Sequence, residues 1–170
     1  MLFTFDFDDT LVITPNAVIN ICDRLTNEKF SLNTHQWRNH FVDQKKYVYD
    51  WSHFNKLASN YEPIKSTLQI IKEIYEAYGA DAIAILTARG DPTGPKEFLR
   101  IFNMPDIDVI ALGAAANLSS GKANWIKQQI IDKKLSYVAY FEDNISYINE
   151  VKKLQIEFND VIFNIQQIIF

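Results

Sequence analysis

Three aspartates, Asp6, Asp8 and Asp9, stand within four positions directly after an apolar run rich in strand formers, and Thr10 follows them. Fold stability gives no reason for such a group. Carboxylates this close repel one another, and removing them from water is unfavourable unless positive charge compensates. The usual compensator is a hard divalent cation with oxygen ligands, often with a phosphate opposite. Asp6 and Asp8 lie two apart, so a continuing strand points both at one spot. The bland alternative is a solvated turn, in which Asp is common.

Two later apolar runs also end in polar clusters. Residues 82–86 stop at Thr87-Ala88-Arg89-Gly90, and residues 137–141 stop at Glu142-Asp143-Asn144. Between them, Lys122 opens a segment of helical pattern. Each is weak by itself. Thr87 reads equally as a cap or turn residue, Asp143 as an N-cap, Glu142 as a solvated acid and Lys122 as a solvated lysine. A lysine at a helix start opposes the helix dipole, a mismatch that a phosphate there would relieve. The order of the clusters carries more than any one of them.

The elements that position these residues follow from periodicity and punctuation. Residues 2–7 read as a buried strand. Residues 17–22 and 30–32 read as a hairpin, and Thr34 as the N-cap of a short helix through about residue 41. Pro63 opens a helix with Ile64, Leu68, Ile71, Ile74, Tyr75 and Tyr78 at helical spacing and Gly79 as its C-cap. A strand over 82–86, a loop over 91–95, a helix over 96–102 and a strand over 107–112 follow. Residues 113–117 read as a loop, and Ser119 or Ser120 caps a helix over about 121–132. A strand over 137–141, a helix to about 155 and a strand over 161–163 complete the chain. Apolar strands alternating with amphipathic helices predict an α/β fold, a three-layer Rossmann-like parallel sheet covered on both faces. In such sheets ligands bind beyond the carboxyl ends of the strands, where the three polar clusters fall.

Residues 35–54 differ from the rest. All three histidines (His35, His40, His53) and two of the three tryptophans (Trp37, Trp51) lie here, with Arg38, Phe41, Lys45, Lys46, Tyr47, Tyr49 and Phe54. No clean period runs through them, so a short helix plus irregular chain is expected. One reading is a lid whose aromatic and basic residues grip a leaving group, stacking on a nucleotide base. The favoured reading is plainer: Trp37, Phe41, Trp51 and Phe54 pack the hairpin onto the body, with the histidines on the surface. The histidine spacing does not suit a zinc site.

Bulk properties bound the classes. One domain is expected from 170 residues, with an insertion over about 14–60. A net charge of -4 argues against broad electrostatic binding to nucleic acid. Cys22 is the sole cysteine, which excludes an internal disulfide and fits a reducing compartment. No apolar run approaches the roughly 20 residues that span a bilayer, and the first residues lack the basic segment of a secretory leader. A cytoplasmic location without membrane association is the expectation; oligomeric state is left open.

The set resembles the haloacid-dehalogenase-like (HAD) phosphohydrolases: Asp6-Phe7-Asp8-Asp9-Thr10, then Thr87, then Lys122, then Glu142-Asp143. The hairpin over 17–32 sits where that family has its flap, and the layout is similar to small phage-encoded members with little or no cap. The resemblance implies a Mg²⁺-dependent phosphomonoester hydrolase working through an aspartyl-phosphate on Asp6, with Asp8 as acid and base. It implies Mg²⁺ held by Asp6, the Asp8 backbone carbonyl and Asp143. Glu142 and Thr10 stand behind these, with the reverse order of Glu142 and Asp143 as the alternative. Asp9, Thr87, Ala88 and Lys122 would contact the phosphate, with Lys96 or Lys127 as substitutes for the lysine. Arg89, Trp37 and Trp51 would meet the leaving group, a phosphorylated small molecule, nucleotide or nucleic-acid end. The chain departs from the family in carrying Asp9 where Gly is common and Glu142 where Asp is common. A non-catalytic phosphate-binding module and a phosphotransferase are the competing functions.

Overall fold

The computed structural model describes residues 1–37, 40, 42–104, 106–113 and 120–169. In chain order, β1 (Leu2–Phe5) leads through the acidic loop to β2 (Val12–Ile13). Then come β3 (Val18–Asp23), β4 (Lys29–Asn33), a four-residue helix α1 (Thr34–Trp37) and β5 (Tyr47–Asp50). A 3₁₀ turn (Ser52–Phe54) and β6 (Glu62–Pro63) precede α2 (Lys65–Tyr78). The remainder alternates: β7 (Ile83–Thr87), α3 (Thr93–Ile101), β8 (Asp108–Ala111), α4 (Ser120–Lys133), β9 (Tyr137–Glu142), α5 (Ile145–Glu157) and β10 (Ile162–Gln167).

Five of these strands form one parallel sheet in the order β10-β9-β1-β7-β8. Helices cover both faces, compatible with a Rossmann-like arrangement. Successive strand residues point to opposite faces. Phe3, Phe5, Ile83 and Ile85 pack with Leu68 and Ile71 of α2 and with Phe98 and Leu99 of α3. Leu86, Val138 and Tyr140 pack on the other face against Ala123, Ile126 and Ile130 of α4 and Ile148, Val151 and Leu154 of α5. Thr4 is polar inside this core, but its hydroxyl donates to the Ala139 carbonyl at 3.0 Å.

Residues 14–61 form an insertion that leaves and returns through a two-stranded stem, with Val12 opposite Pro63 and Ile13 opposite Glu62. The expected hairpin is present as β3 against β4, and β5 pairs with the other edge of β3. Ala17, Ile19, Ile21 and Phe54 form its core, with Leu32, Trp37, Tyr47 and Tyr49 packed on them. Among the described residues, no helix is long and apolar enough to cross a membrane.

Several boundaries differ from the sequence reading, each for a local reason. β1 stops at Phe5 because the chain turns: Leu11 and Val12 donate their amides to the Phe7 carbonyl at 2.9 and 3.2 Å. Pro63 is a strand residue and not the start of α2; Ile64 follows it and donates its amide to the Leu11 carbonyl at 2.9 Å. α3 starts at Thr93, inside the expected loop, because the Asp91 carboxylate accepts from the Thr93 amide and Pro95 falls in the first turn. Asn33, not Thr34, caps α1: Asn33 Oδ1 accepts from the Gln36 amide, and Gln36 Oε1 accepts from the Asn33 amide, a capping box. β5 was hidden because its alternation places two tyrosines inward, Tyr47 and Tyr49, rather than aliphatics. The expected continuation of α1 through Arg38 and Phe41, the loop residues 114–117 and the Ser119 cap lie outside the described residues.

The insertion's return path rests on a close backbone approach at Gly94. A Cβ there would meet Leu57 N and Lys56 C at 2.9 Å, and Arg89 Nη1 at 3.0 Å. Two of those neighbours are backbone, so the strain is not relieved by a rotamer change. Gly94→Ala is expected to lose about 1–3 kcal/mol in urea denaturation; an unchanged midpoint would refute this packing role.

Candidate active site

β1 lies at the centre of the sheet, and the chain runs outward from it in both directions, to β7 and β8 on one side and to β9 and β10 on the other. That is a topological switch point, where a crevice opens beyond the strand ends. Asp6 follows β1, Thr87 ends β7 and Glu142 ends β9. The sheet order thus brings the three clusters together from positions far apart in sequence.

Asp6 is anchored by its amide, which donates to the Phe141 carbonyl at 2.9 Å. The Lys122 ammonium, 1 % exposed, comes from the first turn of α4. It donates to Asp6 Oδ1 at 2.5 Å and to Glu142 Oε2 at 2.6 Å, and lies 4.5 Å from the Tyr147 ring centroid. Glu142 is held further by the Tyr140 hydroxyl at 2.6 Å and by the Asn144 amide at 3.1 Å. Asn144 also caps α5, its side chain accepting from the Ser146 amide.

Burial dominates the titration of this group. It raises the Asp6 carboxyl to about 7, helped by the neighbouring Glu142 and Asp8 and opposed by Lys122. Burial pushes the Glu142 carboxyl upward too, but the Lys122 charge and the Lys122 and Tyr140 hydrogen bonds outweigh it and hold Glu142 below the usual range. Burial likewise disfavours the Lys122 ammonium, yet Asp6 and Glu142 keep it above its ordinary value. The Tyr140 hydroxyl is raised well above its ordinary value, by burial and then by Glu142.

Asp6 and Asp8 do not crowd one spot. The turn after Phe5 sends Asp8 toward Arg89, which donates from Nε to Asp8 Oδ2 at 2.8 Å and from Nη2 to Asp8 Oδ1 at 2.6 Å. Arg89 Nη1 reaches the Phe54 and Lys56 carbonyls at 3.0 and 3.2 Å. The guanidinium lies between the Phe7 and Phe54 rings, 4.8 and 5.4 Å from their centroids. Arg89, expected at the leaving group, therefore directs these donors to Asp8 and to the insertion's backbone. Thr87, 0 % exposed, accepts the Arg89 amide at 3.2 Å and closes that turn.

Asp9 has φ +59°, in the left-handed region that Asp tolerates better than most residues. Its amide donates to the Val12 carbonyl, and its carboxylate accepts from the Thr34 hydroxyl at 3.0 Å. The surplus acid thus latches the insertion to the loop. Thr10 is fully buried, its hydroxyl without a hydrogen-bond partner.

These groups face a cavity of about 500 Å³. Asp6, Asp8, Asp9, Ala88, Arg89, Lys122, Glu142 and Asp143 line it on the sheet side, while Trp37 and Trp51 line it from the insertion. Thr10 and Thr87 stand behind this lining. Oxygens of Asp6, Glu142 and Asp143 lie within 4.8 Å of one another. Opposite ligands are about 4.2 Å apart around Mg²⁺ and about 5 Å apart around Ca²⁺, so the oxygen donors suit a hard cation without selecting one. Lys122 pairs with Asp6 and Glu142 of this group, while Asp8 pairs with Arg89. Glu142 is held by Lys122, Tyr140 and the Asn144 amide, and both it and Asp143 reach the group.

Sequence reasoning missed several participants. Tyr140 was accessible, since it lies two residues before Glu142 on the same strand face. Asn144 was accessible as an N-cap residue. Thr34, Tyr147 and the carbonyls of Phe54 and Lys56 left no local signal. No family profile, curated protein or solved structure matches this chain.

Lys122→Met leaves buried Asp6 and Glu142 without their counter-charge, so a loss of about 3–5 kcal/mol is expected at pH 8. The stranded acids then titrate above their unfolded values. Part of the deficit should return as pH falls toward 5, because the folded state takes up the extra protons. Urea denaturation at both pH values checks this; a variant as stable as the parent at pH 8 contradicts it.

Proposed function

We propose that the chain is a Mg²⁺-dependent phosphomonoester hydrolase of the haloacid-dehalogenase-like kind, with Asp6 as nucleophile. One observation carries the reading. At the sheet's switch point, Asp6 shares a buried ammonium with Glu142, and oxygens of Asp6, Glu142 and Asp143 converge within 4.8 Å of one another at the cavity.

Asp6 attacks phosphorus in line, a bond to its carboxylate oxygen forms, and the bond to the leaving oxygen breaks. Asp6, the Asp8 carbonyl and Asp143 would hold Mg²⁺, which would supply the charge that lets a carboxylate approach a phosphate. Lys122 already donates to Asp6, so it is poised to stabilise the negative charge on the transferred group. Asp8 gives a proton to the leaving oxygen, then takes one from the water that cleaves the aspartyl-phosphate. For that, one Asp8 oxygen must leave Arg89, so the acid works only after its ion pair loosens. Glu142 and Tyr140 orient Lys122, and Asp9 and Thr34 hold the loop.

The same ion pair favours a second reading. A carboxylate gripped by two hydrogen bonds from Arg89 suits a non-catalytic phosphate-binding module, in which Asp8 serves as structure. Phosphate release separates the two readings.

Asp6→Asn is expected to abolish phosphate release from small phosphomonoesters while circular dichroism stays that of the parent; substantial residual turnover sinks the nucleophile assignment. EDTA should stop turnover and Mg²⁺ restore it, with a pH signature in binding. The folded Asp6 carboxyl, at about 7, lies above its ordinary 3.8, so its contribution to stability is full at low pH and lost as pH rises through 7. The cation needs the deprotonated form. The rise in Tm on adding Mg²⁺ should therefore be larger at pH 8 than at pH 6; the reverse order rejects Asp6 as a ligand.

A further inference from the structure

The cavity has two unlike walls. One carries the carboxylates and Lys122; the other carries Trp37, Trp51, Phe54 and His40 of the insertion. Trp51 sits at the rim of the insertion's packing. The insertion's core is built from Ala17, Ile19, Ile21 and Phe54, with Trp37 among the residues packed on it, whereas Trp51 remains 38 % exposed. Its ring stands perpendicular to Trp37, with centroids 4.7 Å apart at 84°, and 6.0 Å from Phe54. A perpendicular pair leaves an indole face open to a third ring.

This wall is tied to the reacting groups by short links. Thr34, one helical turn before Trp37, donates to Asp9. Phe54, next to Trp51 in space, gives its carbonyl to the same Arg89 that holds Asp8. The indoles are thus positioned relative to the acidic loop, not merely near it.

We infer that the Trp37–Trp51 wall binds the base of a nucleotide whose terminal phosphate lies against Asp6 and Lys122. The inference rests on the phosphohydrolase reading and names its substrate class. A planar base stacks on an exposed indole, a contact that tolerates any base because each has a π face. Orthophosphate or a sugar phosphate would leave that face wet. His40 and Asn55 also line the cavity and offer polar atoms to a base edge, which a plain phenyl ring would not use. The volume, about 500 Å³, lies within the range of small-molecule sites.

Isothermal titration calorimetry with Mg²⁺ present, on the full chain carrying Asp6→Asn so that turnover is stopped, tests this. The probes are adenosine and thymidine 5′-monophosphates, ribose 5-phosphate and phosphotyrosine. Nucleotides are expected to bind at least about tenfold more tightly than ribose 5-phosphate. Trp51→Ala should erase about tenfold of nucleotide affinity, and Trp51→Phe should recover most of it. Trp51 is exposed, so folding survives both changes, and ribose 5-phosphate affinity should stay within about twofold of the parent. Unchanged nucleotide affinity in Trp51→Ala, or equal affinity for ribose 5-phosphate or phosphotyrosine, overturns the inference. A 5′- or 3′-phosphorylated oligonucleotide tells whether the nucleotide is free or a strand end: the tighter binder is the substrate form. Base-dependent binding without phosphate release from any probe by the unsubstituted chain in Mg²⁺ instead rejects the hydrolase reading and leaves the wall intact.

Discussion

The compensation of buried carboxylates at the end of the central strand governs this structure. Asp6, Asp9, Glu142 and Asp143 are all less than a tenth exposed. Such a cluster is unstable unless positive groups reach it, and each must be carried there by a different element. Lys122 comes from α4, on one face of the sheet, and Arg89 from the turn after β7. The two pairs divide the acidic loop. Lys122 takes Asp6 and Glu142, and Arg89 takes Asp8. Asp143 stands beside them, where a hard cation suits the oxygen donors.

The same contacts assemble the insertion. Arg89 would be an ordinary partner for Asp8 if it did not also bind the carbonyls of Phe54 and Lys56. Asp9 would be a surplus charge if it did not hold Thr34. Gly94 lets the returning chain lie close enough for both to form. The aromatic segment is therefore coupled to the carboxylates by hydrogen bonds, and the two walls of the cavity keep a fixed relation. Trp37, Trp51 and Phe54 pack on one another, as the sequence reading favoured, and Trp51 keeps part of its ring exposed.

Much of this was legible in advance for identifiable reasons. Strands such as 82–86 and 137–141 are continuous apolar runs, which only a doubly covered sheet accommodates. The helices show their stripes, and Gly79 ends α2 with φ +79°, as a glycine C-cap should. Elements went unread where short-range chemistry overrode pattern. Pro63 was drawn into a stem strand, and Asn33 took the cap expected of Thr34. β5 used tyrosines where aliphatic residues would have revealed it.

The site divides along the same line. Residue type and position by themselves determined that Asp6, Thr87, Lys122, Glu142 and Asp143 stand at the ends of strands or the start of a helix, and hence along one edge of the sheet. That followed because local periodicity sets where each element ends. Only the tertiary structure decided which charge meets which. The strand order puts β1 between β7 and β9, so Lys122 bridges Asp6 and Glu142 across 116 and 20 residues respectively. The turn after Phe5 then separates Asp8 from Asp6 and delivers it to Arg89. Pairing of charges depends on three-dimensional proximity and on which donors are desolvated together, and neither is written in local sequence.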